Sequence, residues 1–177
     1  DRAEDMGLNA AIDELIEFES VDNSDLDRRI SEAGLDFELQ PEMRRWWYLR
    51  MAYTKRPLPE KLTLFWHGLL TSGRKKVGDN AQMMAQNGLF KQEGMGSYQT
   101  LLEKIGRDPA MLKWLDSRSN KKKAPNENYA RELMELFTLS PGFYSEEDVR
   151  EASRAFTGWG LTRGGFEFID RLHDYDN

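Results

Sequence analysis

Two segments gather charge on an otherwise apolar stretch of chain: PNENYARELMELFTL from Pro125 to Leu139, and SEEDVREASRAFTGW from Ser145 to Trp159. Glu127, Arg131 and Glu135 recur every four residues, so on a helix they form one stripe with the guanidinium between two carboxylates. Glu132 falls on the adjoining stripe and Arg154 lies in the second segment, while Ala130, Leu133, Leu136 and Phe137 make the apolar side. Two carboxylates with an arginine between them can act as acid and base if their surroundings split their pKa values. The same residues can instead clamp neighbouring helices, since i,i+4 ion pairs are common and contribute only about 0.3–0.5 kcal/mol when exposed. Both roles stay open.

His67 is the second candidate. It sits in LTLFWHGLL, a run apolar nearly all round, which predicts a buried helix and a buried or half-buried imidazole. Such a ring can shuttle a proton or bind a metal. No second histidine stands at ligand spacing, so a metal site would need Glu127, Glu132 or Glu135 from another helix. The plain alternative is a core histidine bonded to a carboxylate or carbonyl. A third group, His173, Asp174 and Asp176, has the alternation of a calcium loop, yet Asp and Asn also favour tight turns. No cofactor motif is present, and a divalent metal is the one cofactor these groups leave open: GxGxxG, GxxxxGK[ST], GxSxG and SxxK are all missing.

These residues need a scaffold, and helix signals dominate. Met6 to Phe18 places Leu8, Ile12, Leu15 and Ile16 on one face. Pro41 opens PEMRRWWYLRMAYTK, which Pro57 stops. Its Trp46, Trp47, Leu49, Met51 and Tyr53 keep to no narrow stripe, which favours core over a membrane-surface or partner contact. Asn80 to Phe90 follows, then SYQTLLEKIGRDPAML as two helices broken before Pro109. Asn126 or Asn128 can cap the charged helix, and Ser145 with Asp148 makes a capping box for the next. GGFEFID alternates like a strand, with HDYDN as a turn whose return strand lies further on.

The bulk numbers agree with one folded domain. The chain has 177 residues, 39% hydrophobic and 11% aromatic, with 32% charged and a net charge of −6. That balance argues against nucleic acid, which needs a concentrated basic face. Two short basic runs, Arg74-Lys75-Lys76 and Lys121-Lys122-Lys123, sit in expected loops where an anion could be held or where water simply solvates them. The absence of cysteine removes disulfides and thiol chemistry. No run of roughly 18 apolar residues is present, nor a signal peptide or initiator Met.

FWHGLLTSG, QNGLF, DPAMLKWLD, the Pro125–Leu139 block, YSEEDVREASRAFTGW and FEFIDRLHDYDN occur in that order. Together they resemble the bacterial family called domain of unknown function 1800, over most of the chain. The resemblance implies a fragment of a longer, often exported protein, in the periplasm or at the cell surface, and brings no established activity. One departure stands out: family members usually have Gly after ELFTL, where this chain has Ser140-Pro141. The expectation is a mainly α fold, an irregular or orthogonal bundle of helices over 1–177 that ends in the start of a β-hairpin. Its core is expected to join LTLFWHGLL, NYARELMELF and VREASRAF through Arg131, Glu132 and Arg154. The favoured function is an interaction or assembly module whose partners are other protein chains. The alternative is a hydrolase using the carboxylate–arginine–histidine group, with or without a metal.

Overall fold

Pro41 and Pro57 each sit in the first turn of a helix, where the missing N–H breaks no bond and the fixed φ suits the backbone. A computed structural model describes residues 2–176, with side chains from 4 to 176; Asp1 and Asn177 lie outside the described residues. Within them the fold is mainly α. Eleven α-helices run in the order α1 (Arg2–Met6), α2 (Leu8–Ile16), α3 (Ser24–Glu32), α4 (Gln40–Tyr53), α5 (Pro57–Leu69), α6 (Arg74–Val77), α7 (Asn80–Glu93), α8 (Tyr98–Gly106), α9 (Pro109–Trp114), α10 (Asn128–Glu132) and α11 (Glu146–Ala155). They form an irregular bundle with α7 at its middle, packed against α4, α5, α6, α8 and α9. Among the described residues no helix is long and apolar enough to cross a membrane.

The core lies on the α7–α8–α9 side. Phe90, Leu101, Ile105 and Met111 are buried together with Leu70, Leu115, Tyr129 and Phe137. The helix expected to be buried all round is not. From α5 only Pro59, Glu60 and Thr63 are buried, while Leu64 and Phe65 are 50% and 57% exposed. One face of α5 meets α7, α4 and α2 touch it less extensively, and Leu64 and Phe65 stay open to solvent. Nor does α4 supply a buried residue: Trp46 and Trp47 are half-buried and Tyr48 and Tyr53 exposed. The first helix divides at Gly7, whose φ of +82° breaks the helical path, and α2 stops at Ile16 before a 3₁₀ turn, Phe18–Ser20.

Two further expectations are corrected at the C-terminal end. The strand GFEF has its partner within the chain: β1 (Trp159–Thr162) pairs antiparallel with β2 (Gly165–Phe168), from Trp159 opposite Phe168 to Thr162 opposite Gly165. Gly160 therefore belongs to a strand, and Arg163-Gly164 forms the turn. His173–Asp176 fold back instead, with Asp174 N–H donating to Thr157 Oγ1 at 2.8 Å and Arg154 Nε donating to Asp174 at 3.1 Å; the Asn177 end of HDYDN lies outside the described residues. The capping box is present: Asp148 N–H donates to Ser145 Oγ at 3.2 Å and Ser145 N–H to Asp148 Oδ2 at 2.7 Å.

Between α10 and α11 the helix widens. Leu133–Thr138 is a π-helical segment, an uncommon form often found where a functional demand bends a helix. The Tyr98 hydroxyl donates to the Phe137 carbonyl at 2.6 Å, and Thr138 Oγ1 to the Leu133 carbonyl at 2.6 Å. Leu139 and Ser140 N–H groups both reach the Met134 carbonyl, at 2.8 and 3.0 Å. The segment turns Leu136 and Leu139 outward while keeping Phe137 in the core.

Candidate functional site

The acid–arginine lattice is a surface feature. Arg131 Nη2 donates to Glu127 at 2.9 Å and to Glu146 at 2.7 Å, so it joins α10 to α11. Its side chain is 34% exposed and that of Glu146 73%. The guanidinium holds the Glu146 carboxyl below its usual range, first by hydrogen bonding and then by charge. Glu135 accepts from the Tyr144 hydroxyl at 3.2 Å, whereas Glu132 lines a separate groove. The expected single network of Arg131, Glu132 and Arg154 does not form. Arg154 pairs with Glu151 and Asp174 and donates to the Asp176 carbonyl.

His67 lies elsewhere. Its ring packs edge-on to Trp47, with centroids 5.3 Å apart, and against Phe90 at 6.3 Å. Among the described residues no carboxylate or carbonyl bonds to it, contrary to the expectation for a core histidine. Burial pushes its pKa below the ordinary value, because the aromatic surroundings solvate the cation poorly. No hydrogen bond or ion pair connects His67 with Glu127, Arg131, Glu132 or Glu135. The third group is an anchor: His173 Nδ1 lies 2.7 Å from the Thr157 carbonyl, and the carboxylate of Asp174 accepts from Asp176 N–H at 3.0 Å. Among the described residues, no three His, Asp or Glu side chains converge in a way that could hold a metal ion.

The most unusual buried charge was not a sequence candidate. Glu60 is 4% exposed and accepts from Arg50 Nε at 2.9 Å and Lys91 Nζ at 2.5 Å, tying α4, α5 and α7 together. Nearby in the core, Ser72 donates to Gln86, which donates to Asp108 at 2.8 Å. Asp108 also accepts from Met111 N–H at 2.9 Å, and burial raises its pKa despite those bonds. These partners are 10 to 31 residues apart in the chain, so no local spacing reveals them.

What the surface presents most plainly is apolar. On α2, Leu8 is 75% exposed and Ile12, Leu15 and Ile16 also face solvent, and the helix has no buried residue. It packs against α5, whose Leu64, Phe65 and Leu69 are exposed in turn. Leu69 then shares a groove of about 410 Å³ with Trp114, Leu136 and Phe137, and Glu132 is the acidic residue lining it. The result is a belt from α2 across α5 to the π-helical segment.

A family model described as "Protein of unknown function (DUF1800)" matches residues 1–177. No curated protein and no solved structure matches the chain. With its whole length covered by that model, the chain belongs to the DUF1800 family.

Proposed function

We propose that this chain is a protein-interaction module whose apolar belt receives an amphipathic helix with basic flanks. The observation that carries this reading is the exposed belt on α2, α5 and the π-helical segment, with its groove and its single acid, Glu132. An apolar side chain entering the groove would bury surface at about 25 cal/mol per Å². A lysine or arginine beside it would meet Glu132. The flanks of α2 repeat that sign, since LNAAIDELI carries Asp13 and Glu14 and no basic residue. A second copy would oppose acid to acid in a chain of net charge −6, which argues for a basic partner. Service in a bacterial envelope assembly belongs to the same proposal and rests on the family resemblance. A carboxylate–arginine–histidine hydrolase has less support, because those groups stand apart.

The test is a titration with two synthetic helices sharing one leucine face, one flanked by lysine and one by glutamate. The lysine peptide is expected to bind more tightly, Phe65→Glu to abolish binding without lowering Tm, and Glu132→Lys to reverse the preference. Unchanged preference in Glu132→Lys would overturn the reading. So would a large loss of Tm in Phe65→Glu, because the belt would then belong to the core.

A further inference from the structure

A second cavity, of about 370 Å³, opens between α4, α5, α6 and α7, within the range of about 300–1,000 Å³ typical of small-molecule sites. Its walls are mostly apolar: Met43, Trp46, Trp47, Met83 and Met84, together with the His67 ring. That ring is a neutral aromatic wall at pH 7, since burial opposes its charging. Gln40 and Ser72 add polar groups to the lining, and two buried polar atoms in it lack partners. Asn87 is 7% exposed, yet its buried Oδ1 has no hydrogen-bond partner, and the buried Trp47 Nε1 has none either. A buried acceptor and a buried donor without partners each carry a penalty of about 1–3 kcal/mol, which a ligand's polar groups can relieve.

The rim has one sign. Arg44, Arg74 and Lys75 line the cavity and no carboxylate does. Arg74 donates to Asn80 through Nε, but among the described residues Arg44 and Lys75 form no ion pair. Two uncompensated cations at one cavity mouth are notable in a chain with 31 acidic and 25 basic residues. Both are exposed, which suits a singly charged carboxylate. A phosphate dianion would call on several converging N–H donors as well, and the four-residue helix α6 cannot provide them.

We infer that this cavity binds a small carboxylate with an apolar, ring-sized body that carries one hydroxyl group. The carboxylate meets Arg44 and Lys75, the body lies along Trp47, His67 and the methionines, and the inner polar group meets Asn87 and Trp47. This site is independent of the belt: α5 presents His67 to the cavity and Phe65 to solvent.

The probes are 6-hydroxy-2-naphthoate and 2-naphthol, the second lacking the carboxylate. Binding is followed by calorimetry and by the indole N–H resonance of Trp47, assigned with Trp47→Phe. The hydroxynaphthoate is expected to shift that resonance and to bind about tenfold more tightly than 2-naphthol. The double variant Arg44→Ala/Lys75→Ala alters only exposed side chains and is expected to erase that preference. Phe65→Glu is expected to leave it intact, which separates this site from the belt. Equal binding of the two probes, an unshifted Trp47 resonance at millimolar hydroxynaphthoate, or an undiminished preference in the double variant would each overturn the inference.

Discussion

At the residue scale, His67 and Arg131 show how burial decides what a charge can do. Arg131 has two carboxylate partners, but water reaches all three groups and screens them, so the contact orients α10 on α11 more than it stabilises either. The buried clamp is at Glu60, where two cations share one desolvated carboxylate. His67 has no charged partner among the described residues, and burial holds its folded pKa below the ordinary imidazole value of 6.5. As pH falls through the unfolded value, the unfolded chain takes up a proton that the folded ring refuses, so stability declines. The decline ends only once pH passes below the depressed folded pKa. Replacing His67 with Phe, which suits the Trp47 and Phe90 contacts, removes this term. Thermal melts at pH 7.5 and 5.5 should show a smaller acid-induced drop in Tm for His67→Phe than for the native chain, and an identical drop would contradict the assignment.

At the element scale, the exit from the π-helical segment stores backbone strain. Ser140 follows the π-helical segment with φ of +73°, in the left-handed region, and its N–H closes the helix end on the Met134 carbonyl. A left-handed backbone costs a residue with Cβ about 1–2 kcal/mol, and glycine escapes that strain. Ser140→Gly is therefore expected to stabilise the chain by about 0.5–1 kcal/mol, after the greater unfolded-state freedom of glycine is counted. Urea unfolding would read this as a higher midpoint at unchanged slope; a lower midpoint would refute it.

Local signals of this kind were legible in the sequence. Pro41 at a helix start, Ser145 with Asp148, and the break before Pro109 each depend on residues a few positions apart. The π-helical segment was not legible, because its Tyr98 to Phe137 bond spans 39 residues. Nor was the exposed side of α5, since an apolar run looks the same whether protein covers one face or both. Of the candidate residues, Glu127 and Arg131 do meet, as their spacing suggested. The cavity beside His67 depends on Ser72, Arg74 and Asn87 arriving from other elements, which no window of sequence displays.

At the scale of the whole molecule, two surfaces of opposite character share α5, and salt should act on them in opposite directions. The belt offers apolar area whose burial between copies is favourable, but a net charge of −6 and the acids of α2 keep copies apart. Raising ionic strength from 0.1 M to 1 M shortens the screening length from about 10 Å to about 3 Å, which removes most of that repulsion and leaves apolar attraction in place. Self-association measured by sedimentation velocity should then increase with salt, and Phe65→Glu should suppress it. The cavity mouth behaves in the contrary sense, because Arg44 and Lys75 attract a carboxylate through solvent and lose that attraction when screened. Association that weakens with salt would show the contact between copies to be ionic, and the belt would lose its claim to be the surface that other chains meet.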